Sequence, residues 1–228
     1  MKKTIYLLLA VAAVIIITGC PGSTPTDYNI ITVNRAQLDA MIAADADVTR
    51  VDVSNITDMH GVFVDKTSFN QDISGWDVSN VTVMSSMFSR APSFNQDIGG
   101  WDVSNVTDIN NMFNGADSFN QDIGDWDVSN VTNMLQLFID CDSFNQDIGG
   151  WVVNNVTEML GVFSHAAAFN QDISSWNVSK VTNMVHMFNG AAAFNQDLSA
   201  WDVSKVEYWT DFATSSALTN EHIPPKFR

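Results

Sequence analysis

Six aspartates, Asp72, Asp97, Asp122, Asp147, Asp172 and Asp197, recur every 25 residues, and this column of carboxylates is the feature of the chain best placed to do chemistry. If successive units stack, neighbouring carboxylates repel by about 1 kcal/mol even in water, so something must offset the charge. Backbone N–H donors in the Asp-Ile-Gly/Ser turn supply one offset, in the manner of an Asx-turn, and this is the expected one. Calcium shared between units is the other, but the unit lacks the dense Gly-Asp spacing of calcium-binding β-rolls. A second acidic column, Asp77, Asp102, Asp127 and Asp202, admits Val152 and Asn177 and is expected on a solvated face.

The remaining reactive side chains form no catalytic set. His60, His165, His186 and His222 fall in different slots of the unit, so no paired-His metal spacing and no Ser/His/Asp arrangement emerges. Cys141 stands in a column otherwise made of Ala91, Ala116, Ala166 and Ala191, which predicts a small, buried, inert thiol. Asn-x-Thr tripeptides at Asn55, Asn80, Asn105, Asn130 and Asn155 match the glycosylation sequon but are expected to serve turns. Neither an enzyme nor a bound cofactor is expected.

The elements that position these columns follow from the period. Phe69, Phe94, Phe119, Phe144, Phe169 and Phe194 each open the word Phe-Asn-Gln-Asp, with a tryptophan seven residues later at Trp76, Trp101, Trp126, Trp151, Trp176 and Trp201. A second phenylalanine column runs from Phe63 to Phe188. A period in this range signals stacked units that cannot bury an apolar face alone. The Trp, Phe, Met and Val columns are expected to form the core, and Asn70 to Asn195 a side-chain ladder that closes the turn after each Phe. A tryptophan ladder could instead grip sugars, but Trp alternates with Asp and then Val, which places Trp and Val together on one inward face. The fold class expected is a repeat solenoid with one short parallel strand around Trp-Asp-Val, plus turns or a short helix, in each 25-residue coil.

Degenerate units mark the ends. Asp47-Val48 fills the Asp-Ile slot and Val51 the tryptophan slot. Arg35 to Ala44 is expected to be a helical cap with Asn34 as N-cap and Leu38, Met41 and Ile42 on one face. Trp209, Phe212 and Leu218 keep the rhythm imperfectly, and Pro224-Pro225 is expected to blunt the open edge. At the start, Lys2 and Lys3 precede an apolar stretch from Ile5 to Ile17, and Ile17-Thr18-Gly19-Cys20 resembles the lipobox of bacterial lipoproteins. That resemblance implies cleavage before Cys20, lipid on its thiol, and a protein tethered to a membrane rather than spanning it. The organisation expected is a signal peptide over 1–19, a lipidated flexible spacer over 20–28, a cap over 29–50, repeats over 51–218 and a tail over 219–228. Without Lys2 and Lys3 the chain keeps 8 basic against 26 acidic side chains, about −18, a field that repels nucleic acid and anionic headgroups.

The unit Trp-x-Val-Ser-x-Val-Thr-x-Met-x-x-Met-Phe-x-x-Ala-x-x-Phe-Asn-Gln-Asp-Ile resembles the repeat of BspA-like leucine-rich-repeat surface proteins, with similar repeats in mycoplasma lipoproteins. The resemblance covers residues 35 to about 218. It implies a leucine-rich-repeat-like curved solenoid on a bacterial envelope, at the surface or outer membrane, and for some members adhesion to proteins or cells. Two slots vary from unit to unit while the core columns hold: Ser86, Asn111, Gln136, Gly161, His186, and Arg90, Gly115, Asp140, His165, Gly190. A fixed scaffold with one varied strip suits recognition of a protein or carbohydrate partner, with Arg90, Asn111, Gln136, Asp140, His165 and His186 as candidate contacts. Relaxed drift on a solvent face, in a coat lipoprotein without a ligand, accounts for the same variation.

Overall fold

The computed structural model describes residues 30–228; the lipobox, with Lys2, Lys3 and Cys20, lies outside the described residues. Strand β1 (Ile31–Thr32) pairs in parallel with β2 (Val51–Asp52), Ile31 opposite Val51 and Thr32 opposite Asp52. Between them lies helix α1 (Arg35–Ala43). The Asn34 side chain accepts the Gln37 N–H at 3.0 Å while Gln37 Oε1 accepts the Asn34 N–H at 2.9 Å, a reciprocal cap that fixes the helix start. Leu38 and Ile42 are buried and Met41 partly so, which makes α1 a lid over the first coil, as its spacing predicts.

Past β2 the chain repeats one irregular coil, and the described residues hold no helix until a short 3-10 turn at Pro225–Phe227. Of the turns or short helix expected in each coil, turns form: the local bonds reach back only three residues, as in Met87 to Met84 and Ala91 to Phe88, and left-handed residues interrupt any helical run. The expected strand, by contrast, is misplaced. Apart from β2 itself, the Trp-Asp-Val words form no ladder. The parallel bridges join Asp58, Val83, Asp108, Asn133, Glu158, Asn183 and Tyr208 in succession, just after the Val-Thr pair. Alternation at Trp-Asp-Val still places Trp and Val inward and Asp outward, because an extended backbone alternates sides whether or not it pairs.

Coil-to-coil hydrogen bonds run in two directions. From the bridge onward the amides of Met84, Ser86, Phe88 and Arg90 donate forward, to the carbonyls of Asp108, Asn110, Met112 and Asn114. The same four slots donate at every junction from Met59 to Gly190. Most of the remaining coil-to-coil donors point back. The Thr107 N–H bonds to the Thr82 carbonyl, Trp101 Nε1 to the Ile73 carbonyl at 3.2 Å, and Asn105 Nδ2 to the Ser79 carbonyl at 2.8 Å. One side of each coil therefore offers donors to its successor and the other side offers carbonyls.

The core is a continuous aromatic stack. Phe88 lies 3.8 Å from Phe94 in its own coil and 5.8 Å from Phe113 in the next, all nearly parallel. Trp76 and Trp101 stack at 6.5 Å with planes 2° apart. The indoles of the column from Trp76 to Trp201 are buried and their N–H groups are bonded to the preceding coil, so no face of this tryptophan ladder is open to a sugar. Cys141 is fully buried in the alanine column, its Sγ 3.2 Å from the Ala116 carbonyl, and burial pushes its thiol well above the ordinary range. Among the described residues no helix is long and apolar enough to cross a membrane.

Candidate functional site

The aspartate column resolves into turns. Asp72, Asp97, Asp122, Asp147, Asp172 and Asp197 each accept, at 2.9–3.0 Å, the N–H two residues on. Asp47 does the same with Thr49 in the degenerate unit. The Ser74 hydroxyl and then its N–H hold the Asp72 carboxyl below the usual range, and Ser174 and Ser199 do so for Asp172 and Asp197. The second acidic column is built alike, with Ser79, Ser104, Ser129 and Ser204 lowering Asp77, Asp102, Asp127 and Asp202. Among the described residues no His, Cys, Asp and Glu side chains gather in a group that could hold a metal ion.

The asparagine ladder forms, but its rungs do not join one asparagine side chain to the next. Asn95 Oδ1 accepts the main-chain N–H of Asn120 and the Gln121 side-chain amide, both at 2.9 Å, and the pattern repeats to Asn195. The sequon asparagines Asn80, Asn105, Asn130 and Asn155 each donate Nδ2 to a serine carbonyl of the preceding coil, which ties coils together rather than closing a turn within one.

The varied strip has a backbone cause. Ser86, Asn111, Gln136 and His186 have φ between 53° and 57°, and Arg90, Asp140 and His165 between 55° and 58°; the glycines in both columns are left-handed as well. Left-handed backbone favours Gly, Asn and Asp, so these slots admit a limited and polar set. Both columns belong to the forward donor row, whose other two slots, those of Met84 and Phe88, are not left-handed. The structure brings all six predicted contacts to one side of the stack, with Arg90, Asp140 and His165 exposed and Asn111, Gln136 and His186 half-buried. Arg90 forms a two-pronged ion pair with Asp65 of the preceding coil, and its guanidinium lowers that carboxyl. The His165 ring lies over Gly190, where a Cβ would stand 2.5 Å from Nδ1. Beside Asp140, partial burial, followed by the charges of Asp142 and Asp140, pushes the Asp117 carboxyl up.

A family model described as a Mycoplasma protein of unknown function, DUF285, matches residues 33–139 and again 119–225. The chain belongs to this family. No curated protein and no solved structure matches it. The two DUF285 matches overlap within the strip and together take in α1, every coil and most of the C-terminal tail, so DUF285 here is a tandem-repeat protein.

Two residues central to this DUF285 stack are not evident from the period, because they sit outside it. Arg35 of α1 donates to the Asp58 carbonyl at 2.9 Å and the His60 carbonyl at 2.6 Å, the acceptors that no earlier coil reaches. Lys226 donates to the carbonyls of Val203, Ser204 and Val206 at the far end, the last at 2.6 Å. The only sequence signal is a cation in each flanking segment. Pro224 and Pro225 do not blunt the edge themselves; they set a short 3-10 turn that carries Lys226 and Phe227 onto it.

Proposed function

We propose that this protein is a lipid-anchored bacterial envelope protein, acylated at Cys20, whose coils form a leucine-rich-repeat-like solenoid of the BspA type and act as an interaction or adhesion module. The observation that carries the reading is the strip. The core repeats the same residue types coil after coil, while Arg90, Asn111, Gln136, Asp140, His165 and His186 place different polar groups side by side on one face. Protein surfaces that bind by stacking repeats use such an arrangement. A coat protein without a ligand is the second reading, favoured by the left-handed backbone, which by itself selects Gly, Asn, Asp and other polar residues at these slots.

A pull-down with residues 29–228 against host matrix and neighbouring-cell proteins separates the two. Capture that weakens in Arg90→Ala and His165→Ala supports the module; capture indifferent to the whole strip leaves the coat. For the anchor, labelling with a fatty acid should be lost in Cys20→Ser, and label that persists refutes acylation at that residue.

A further inference from the structure

The last coil repeats the forward donor row, and among the described residues no later coil bonds to it. In the slots of Met184, His186, Phe188 and Gly190, whose amides bond to Tyr208, Thr210, Phe212 and Thr214, stand Trp209, Asp211, Ala213 and Ser215. The amides of these four make no hydrogen bond among the described residues, whereas the intervening amides of Phe212, Thr214 and Ser216 bond locally. The row is walled on its other side by the tail: a cleft of about 410 Å³ lies between residues 209–214 and Leu218, Ile223 and Phe227. Phe227 stacks on Trp209 at 5.3 Å and holds that wall in place.

We propose that this C-terminal edge is a docking site for an extended peptide segment of another protein, which adds its carbonyls to the row as one more coil would. The occupant's chemistry is given by the preceding junctions: each identical row takes carbonyls from alternate residues of the next run and asks for no donors in return. A second copy of this chain does not meet that demand. Its own C-terminal edge would set donors against donors, and at its N-terminal edge two of the four matching carbonyls, those of Asp58 and His60, already accept from Arg35 while α1 covers that coil. The cleft, whose lining joins Leu218, Ile223 and Phe227 to the polar Thr210, Thr214 and Asn220, fits an uncharged side chain between two pairing carbonyls, and the strongly acidic chain disfavours an acidic segment. The inference deepens the interaction-module reading but rests on the edge alone, independent of the strip and of the lipid.

The test is hydrogen exchange on the full chain in detergent micelles, with and without an acetylated, amidated peptide of the sequence at residues 183–191, which carries no carboxylate. Without peptide, the amides of Trp209, Asp211, Ala213 and Ser215 should exchange at least about tenfold faster than those of Met184, His186, Phe188 and Gly190. Peptide should slow those four and leave the N-terminal coils unchanged. Ala213→Pro removes one donor that the fold does not use and should weaken binding about fivefold. If that variant disturbs the tail, a peptide with a thioamide, a weaker acceptor, in place of the Met187 carbonyl weakens the same bond from the other partner and gives the same reading. Slow exchange at the four amides in the free chain, protection by peptide elsewhere, or no protection at millimolar peptide each overturns the proposal. Protection that rises with protein concentration alone overturns it in favour of self-association. A failed pull-down on the strip leaves this outcome untouched, so the two readings fail separately.

Discussion

At the N-terminal end of the stack, α1 covers the first coil with Leu38 and Ile42, and Arg35 satisfies two of its backbone carbonyls. At the C-terminal end the cover is divided. Phe227 packs on Trp209 and Phe212, Lys226 satisfies three carbonyls on one side, and four amides on the other side stay open. The difference teaches that an end cap has two tasks, apolar cover and backbone polarity. A cation serves either end because at each it meets acceptors. No side chain supplies an acceptor to the four open amides at the C-terminal end, whereas a cation meets two of the four row carbonyls at the N-terminal end.

Substitutions at the two ends test this contrast. Leu38→Ala should have the largest effect, about 2–5 kcal/mol in urea unfolding, since a fully buried side chain leaves a cavity. Phe227→Ala should cost less, because that ring is only half-buried; an equal loss would mean that the tail closes its end as firmly as α1 does. Next come the cations. Arg35→Met should cost about 1.5–3 kcal/mol through two charge-assisted bonds, and Lys226→Met should fall in the same range. If Lys226→Met alone is silent, its three carbonyls are hydrated without it. Asn34→Ala breaks the reciprocal cap of α1 and should cost about 1 kcal/mol, with Asn34→Ser recovering most of it.

The smallest contrast is with pH, where the ends should behave alike. Asp47 near the N-terminal end and Asp197 and Asp202 near the other are lowered by hydrogen bonds from Thr49, Ser199 and Ser204. A carboxyl lowered on folding contributes stability that is fully present above its unfolded value of about 3.9 and lost as pH falls through the folded value. Protection against exchange, taken relative to the unfolded chain at the same pH, should therefore fall at both ends together below about pH 4. Loss of protection at one end alone would show that cap chemistry, rather than the shared turns, governs acid fraying.

The legible parts of the molecule are those whose partners lie within a few residues. The Asx-turns span two positions and the Asn34 cap three, so residue type at fixed offset is enough to predict them. The inward columns were legible for a related reason: one Trp or Phe in every coil has a single place to go once coils stack. The left-handed columns left a trace as well, in Gly61, Gly115, Gly161 and Gly190, which mark backbone demand in slots that also read as a recognition strip.

The sequence by itself determined the period, the core columns, the helical cap and the aspartate turns, because each follows from periodicity or from hydrogen bonds between near neighbours. Only the tertiary structure decided which run carries the coil-to-coil ladder. Trp-Asp-Val and the Val-Thr-x-Met run both alternate apolar and polar residues, and alternation reports burial without reporting where the backbone donors point. The polarity of the two edges was likewise out of reach, since it depends on whether each amide faces the coil before or the coil after. That direction belongs to the backbone of the folded coil, left-handed at Ser86 and Arg90 and their equivalents, and the cations at Arg35 and Lys226 meet the end coils only once the chain has folded.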